Sequence, residues 1–315
     1  MSRFFGIDTS NYRTSAALFD SETMQWENSG RLLEVPEGRI GLRQSDALFQ
    51  HVKRLPAILE QLKETGLPAQ LKAIGASTQP REVEGSYMPC FLAGESQAKV
   101  MSTVLELPFY PCSHQQGHIA AAAWSAGRMD LLDMPHLVWH LSGGTTELLH
   151  VVPDGPLVRA TCIGGTSDIS AGQLIDRTGK RLGLAFPAGK AVDALSLQAE
   201  KKESFHVKVK DSVFSFSGIE NKMNALAENG IAPADICWYV LASIIGGVEK
   251  ATRQALEKYP GLPVLCAGGV ASNQLLRETM IRSCGTVFAE PRFSTDNAMG
   301  VAILTWRAHH AKDRV

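Results

Sequence analysis

Two segments of the chain share one plan. Phe4 to Asp20 (FFGIDTSNYRTSAALFD) and His136 to Val152 (HLVWHLSGGTTELLHVV) each read as an apolar strand, a small polar turn and a second apolar strand. The first turn is Asp8-Thr9-Ser10-Asn11 and the second is Ser142-Gly143-Gly144-Thr145-Thr146. Glycine and small hydroxyl residues leave backbone N–H groups bare where a chain must pass close to something else. A hairpin tip rich in such donors is a ready phosphate cradle, which makes both tips, Asp8 of the first among them, candidates for ligand contact. One such hairpin is a common object. Its recurrence predicts two duplicated α/β domains, each presenting one tip to a shared nucleotide cleft.

A chain of 315 residues lies above the usual size of a single core, which also favours two domains. The expected division is 1–125, joined by a C-terminal helix over 296–315, and 126–295. Interleaved helix and strand patterns agree with it. Apolar residues at Leu48, Val52, Leu55, Leu59 and Leu62 predict a helix from Gln44 to Thr65 stopped by Gly66. Lys72–Ser77 and Pro263–Ala267 read as buried strands. Further helices are expected over Gly94–Leu105, Gly117–Ala126, Ala234–Tyr259, Ala271–Arg282 and Thr295–Ala311. This is the plan of the actin, Hsp70 and sugar-kinase class. Lys+Arg of 31 against Asp+Glu of 32 neither suggests nor forbids nucleic acid; the local basic residues Lys201, Lys202, Lys208, Lys210, Arg307 and Lys312 are candidates for RNA phosphate. Six scattered cysteines without a C-x-x-C pair read as reduced thiols in a cytoplasmic protein, with no membrane segment.

The sharpest chemical signal is His114-Gln115-Gln116-Gly117-His118. On a helix, i and i+4 put both imidazoles on one face, where they can bite a single metal ion. Core histidines also produce this spacing, and two ligands leave a metal site incomplete; Asp296, expected to open the last helix, is the best third ligand. His136 and His140 repeat the spacing in a strand pattern, where rise places them roughly 13 Å apart, too far to share an ion. A zincin-type protease needs Glu at position 115, which is Gln here. Cys266 to Asn273 (CAGGVASN) reads as strand, glycine pair and helix start, bringing amides and the Asn273 side chain towards a nucleotide. Gly164 to Asp176 leads into another helix, with Asp176 on the side of Asp168 and suited to ribose hydroxyls; Pro187-Ala188-Gly189 follows.

These motifs, from Gly6-Ile7-Asp8-Thr9-Ser10 to Ser294-Thr295-Asp296-Asn297-Ala298, resemble the TsaD family over nearly the whole chain. Phe214-Ser215-Phe216-Ser217-Gly218 and Ala267 to Asn273 are the longest shared runs. The family transfers a threonylcarbamoyl group from threonylcarbamoyl-AMP to the adenosine beside the tRNA anticodon. The resemblance implies an actin-like fold of two RNase H-like domains and one iron or zinc ion held by His114, His118 and Asp296. Contacts to ATP, AMP or an adenylate would fall on Leu141, Ser142, Gly143, Gly144, Thr145, Asp176, Gly189, Asp193 and Asn273. TsaB-like and ATPase partner proteins are implied as well. The family pattern differs here at Tyr12-Arg13 (Asp-Glu), Gln116 (Glu), Thr145 (His), Ile169 (Asp), Gln173 (Glu), Glu220 (Lys) and the loop at His206–Val209. Such departures also fit a paralogue that carbamoylates another acceptor or regulates a true TsaD. No catalytic acid or base is assigned.

Overall fold

The structure, a computed structural model, describes residues 2–10, 12–35, 42–64 and 70–312. Asn11 of the first turn and the expected stop at Thr65-Gly66 lie outside them. The chain divides into two compact units: Met1–Met134 with Val152–Ala160 and Thr295–Val315, and Pro135–Val151 with Thr161–Ser294.

In the first unit β1 (Arg3–Thr9) is buried along its whole length, as a strand covered on both faces must be. It pairs antiparallel with β2 (Arg13–Asp20), which pairs antiparallel with β3 (Trp26–Leu32). Helix α1 (Gln44–Glu64) follows, then β4 (Leu71–Gln79), α2 (Phe91–Val104), β5 (Phe109–Ser113) and α3 (His114–Ser125). β4 lies parallel to β1, and β5 parallel to β4, giving the order β3-β2-β1-β4-β5. The core joins Phe5, Ile7 and Leu18 of the sheet to Leu55, Ile58 and Leu62 of α1. The stripe of α1 is rotated from the expected one. Ala47, His51, Leu55, Ile58 and Leu62 are buried, while Val52 is about half exposed. An apolar pattern this broad admits either face, and contact with the sheet selects one.

The second unit starts with β6 (His136–Leu141), antiparallel to β7 (Thr146–Asp154), which neighbours β8 (Leu157–Thr166). Then come α4 (Ala171–Arg181), α5 (Gly189–Ser196), β9 (Val213–Phe214), α6 (Ser217–Glu228), α7 (Pro233–Lys258), β10 (Val264–Ala267), α8 (Gln274–Cys284) and β11 (Val287–Phe288). The order is β11-β10-β6-β7-β8-β9, with β10 parallel to β6 and β11 parallel to β10. Apart from β9 this repeats the first sheet: an antiparallel partner on one side of the leading strand and parallel strands on the other. The duplication expected from the two hairpins is therefore present in the strand order. Trp139 is fully buried, and its indole N–H donates to Thr252 Oγ1 of α7 at 2.8 Å.

Helix α9 (Met299–Lys312) belongs to the first unit. A Cβ on Gly6 would lie 2.5 Å from Ala302 N, and Gly300 sits against the carbonyl of Gly117. Glycines thus let α9 approach β1 and α3 more closely than any side chain permits. Two helix starts differ from expectation. Gly269–Ser272 forms a 3-10 turn, so α8 begins at Gln274 with Asn273 as its cap. Asn297 Oδ1 accepts from Met299 N at 3.0 Å, so α9 begins after Asp296, which stays in the preceding turn. In both cases an Asn side chain replaces the missing helical acceptor.

Candidate functional site

In the first unit β5 runs directly into α3, and Ser113 caps it. Its hydroxyl accepts from Gln116 N at 3.2 Å, while Gln116 Oε1 accepts from Ser113 N at 2.8 Å. This capping box aims the first turn of α3. One turn apart, His114 and His118 bring their Nε2 atoms to 3.0 Å from each other. Asp296 Oδ1 lies 3.1 Å from His118 Nε2 and 3.7 Å from His114 Nε2. One donor atom from each of the three falls within 4.8 Å of the others.

A second layer orients these atoms. His114 Nδ1 lies 2.9 Å from Asp8 Oδ1, so an Nδ1–H donated to that carboxylate leaves the Nε2 lone pair pointing into the cluster. Ser77 Oγ also donates to Asp8, whose side chain is buried. Ser10 Oγ donates to Asp296 Oδ2 at 3.0 Å, leaving Oδ1 for the histidines. Burial opposes a charged His114, but the Asp8 carboxylate and then Asp296 outweigh it and push the imidazole up to about 9. Burial likewise works against ionised Asp296, yet the His118 hydrogen bond and the charges on His114 and His118 hold it well below the usual carboxylate range. Two imidazole nitrogens and one carboxylate oxygen converging in this way fit a transition metal such as iron or zinc, with positions left open. Asp8, expected at a ligand-contacting tip, has its carboxylate turned inward behind the cluster. Sequence reasoning did not single out Ser10, Ser77 or the Gly117–Gly300 crossing; only the hydroxyl-rich first turn carried a trace of Ser10.

The second unit brings its candidates together through a closed ring of contacts. Ser142 N donates to Thr145 O at 2.8 Å, and Thr145 N donates to Ser142 Oγ at 3.1 Å, tightening the tip between β6 and β7. Ser170 Oγ donates to Gly143 O at 2.6 Å, and a Cβ on Gly172 would meet Gly143 Cα at 2.5 Å. The tip therefore sits on the start of α4. From α4, Asp176 Oδ1 accepts from Ala188 N at 2.9 Å and fixes the start of α5 at Gly189. From α5, Asp193 Oδ1 accepts from Asn273 Nδ2 at 2.7 Å, while Asn273 Oδ1 accepts from Leu276 N at 2.8 Å. Burial pushes the Asp193 carboxyl up despite the hydrogen bonds from Gln274 N and the Asn273 amide. Gly268, at φ +101°, packs on the carbonyl of Leu141 and closes the ring. Gly143, Gly144 and Gly189 have open space where a side chain would stand. Bare amides there suit an anionic group.

Asp168 is engaged elsewhere than Asp176. It accepts from Phe216 N at 2.9 Å, Ser217 N at 3.1 Å and the Ser215 hydroxyl at the start of α6. Burial is outweighed by these donors, which hold its carboxyl well below the usual range. Several departures from the family pattern have local partners. Gln116 Nε2 donates to Val158 O at 2.7 Å, which Glu could not do. Gln173 completes a capping box with Ser170, a role Glu fills equally. Glu220 accepts two bonds from Arg177 Nη1, at 3.0 and 2.9 Å. Of the candidate RNA contacts, Arg307 is bound to Asp133 and the Pro156 carbonyl, and the Lys312 side chain lies outside the described residues.

The strand order repeated in both units, with one unit carrying the metal-type cluster and the other the glycine-lined ring, defines the actin, Hsp70 and sugar-kinase class. Solved structures agree on the fold. The full-length HypF structure in the phosphate- and nucleotide-bound form superposes with a TM-score of 0.63 at 12% identity, covering 98% of this chain and 46% of that one. The activator of the 2-hydroxyisocaproyl-CoA dehydratase from Clostridium difficile gives 0.55 at 13% identity, covering 99% and 97%. A family model described as TsaD, tRNA N6-adenosine threonylcarbamoyltransferase, matches residues 40–303. A relative of that name from Thermus thermophilus is 33% identical over 310 residues, covering 96% of this chain and 92% of its own length. One from Streptococcus pneumoniae is 31% identical over 266 residues, covering 80% and 76%. The chain belongs to the TsaD family.

Proposed function

We propose that this chain is a tRNA N6-adenosine threonylcarbamoyltransferase. The observation that carries the reading is the convergence of His114, His118 and Asp296, backed by Asp8 and Ser10, in a chain of this family. The donor substrate, threonylcarbamoyl-AMP, is a mixed anhydride. The exocyclic amine of adenosine attacks the carbamoyl carbon, its N–C bond forms as the C–O bond to phosphate breaks, AMP leaves, and the amine proton passes to solvent.

His114, His118 and Asp296 would hold iron or zinc, which when bound supplies Lewis acidity towards developing oxyanion charge. The tip at Ser142–Gly144 would offer amides to the adenylate phosphate. Asp176 would use its second oxygen on a ribose hydroxyl while its first holds Ala188 N. Asp193, Asn273 and Gly268 keep that ring in register. The chain would act in the cytoplasm with TsaB-like and ATPase partner proteins; no helix among the described residues is long and apolar enough to cross a membrane.

A second reading, a paralogue with another acceptor, draws on Tyr12, Arg13 and Thr145, since Gln116, Gln173 and Glu220 are accounted for by local bonds. Mass spectrometry of tRNA nucleosides from a strain depleted of its own TsaD and carrying this chain separates the two. Threonylcarbamoyladenosine is expected. Its absence, with folded and metal-loaded protein present, selects the paralogue.

A further inference from the structure

We infer that Phe186 is a stacking platform for an unpaired base of single-stranded RNA, with Lys180 and Lys190 contacting the flanking phosphates. The choice of ligand rests on the RNA-modifying reading above. At 83% exposure Phe186 is the most exposed large hydrophobic side chain among the described residues. A phenyl ring left in water is unfavourable, and this one is not displayed by a slack loop. On one side Gly183, at φ +73°, turns the chain out of α4, and Leu184 N donates to Gly179 O at 2.8 Å. On the other, Ala188 N donates to Asp176 Oδ1 at 2.9 Å. Ala188 itself is buried where Gly179 makes room for its side chain. Both anchors lie within two residues of the ring, so the loop holds an aromatic face outward beside the carboxylate assigned to ribose.

The charges around it have the same bias. Lys180 lies in the last turn of α4 before the loop and Lys190 in the first turn of α5 after it; both are exposed, and among the described residues neither has an ion-pair partner. Neighbouring Arg177 and Arg181 are already compensated by Glu220 and Glu228. An exposed aromatic flanked along the chain by uncompensated cations matches what binds single strands, where bases stack on the ring and the cations follow the backbone. A free mononucleotide has one phosphate, and the glycine tip already offers donors for it. Two separate lysines are better matched to a continuous strand.

The test is fluorescence anisotropy of a short labelled oligoadenylate on the full chain at low salt, with AMP affinity measured alongside. Phe186→Ala should weaken RNA binding about 5- to 150-fold, the equivalent of the energy of one stacked base, and leave AMP affinity and Tm unchanged because the side chain is 83% exposed. Phe186→Leu should behave like Phe186→Ala, whereas Phe186→Trp should keep affinity within about twofold and show emission quenched by RNA. Lys180→Ala with Lys190→Ala should make the log–log salt dependence shallower by about 0.7 for each lost phosphate. Wild-type RNA affinity in Phe186→Ala overturns the inference, as does absence of oligoadenylate binding by the wild type. Loss of AMP affinity in place of RNA affinity also overturns it and assigns the ring to the substrate nucleotide. Formation of threonylcarbamoyladenosine is scored separately. A chain that makes none but binds RNA through Phe186 keeps this inference and loses the enzymatic reading; one that modifies tRNA with Phe186→Ala binding normally does the reverse.

Discussion

The two hairpin tips occupy equivalent places in two sheets of the same strand order, yet they are built differently. The first, at Asp8 to Ser10, is buried; Asp8 and Ser10 bond His114 and Asp296, while Thr9 bonds the start of α2. The second, at Ser142 to Thr145, carries two glycines with open space beside them and binds its neighbours through its own carbonyls. Carboxylate and hydroxyl side chains orient ligands for a cation, whereas bare amides suit an anion. The scaffold is shared; the groups presented at the two tips differ in the sign of charge they suit.

If that division is right, substitutions on one side should leave the other untouched. The largest effect belongs to a metal ligand. His118→Ala should reduce bound iron or zinc from about one ion per chain to near zero, because two ligands do not complete a site. Metal analysis checks this, and AMP binding should persist. Retained stoichiometry would remove the cluster as the metal site.

Burial also leaves an acid-sensitive group behind the first tip. His51 is fully buried, with Nδ1 2.8 Å from Thr14 Oγ1, and burial lowers its pKa from 6.5 to about 4. The unfolded chain therefore takes up the proton first. The neutral form's contribution is complete above pH 6.5 and is lost as pH falls towards 4, a change of up to about 3 kcal/mol at 1.36 kcal/mol per unit. Denaturant unfolding across that range should show the decline, and His51→Gln should flatten it. Equal slopes in the two proteins would mean that other groups set the acid limit.

Asp8→Asn is a milder test of the first tip. Loss of the carboxylate behind His114 should weaken metal binding about 10- to 100-fold without abolishing it. Competition with a chelator gives the number. Asp176→Ala is its counterpart in the second unit, with AMP affinity expected to fall by about 1–3 kcal/mol and metal content unchanged. Calorimetry showing equal affinity would place the ribose elsewhere. A drop in metal content instead would break the separation of the two tips.

Much of this was legible from residue order alone. Both hairpins, the long helix α7 and the helical pairing of His114 with His118 follow from periodicity and turn chemistry, which are local properties. Asp296 was reachable as a third ligand only because small residues surround it. The buried stripe of α1 was not legible, since an apolar surface wider than one face needs a partner to choose its rotation. The starts of α8 and α9 are not legible because nothing local shows that the Asn273 and Asn297 side chains turn back to cap. Gln116 looked like a lost acid, but its amide is required by the Val158 carbonyl, far away in sequence.

The duplication, the family and the groups available at each tip are readable in the chain because they depend on residue type and short-range spacing. Only the tertiary contacts set the Asp8 carboxylate behind His114, 2.9 Å from its Nδ1, and join Asp176, Asp193, Asn273 and Gly268 in one ring. Those facts arise from contacts between residues distant in the chain, where a glycine crossing or a single shared carbonyl sets the geometry, and no local pattern records them.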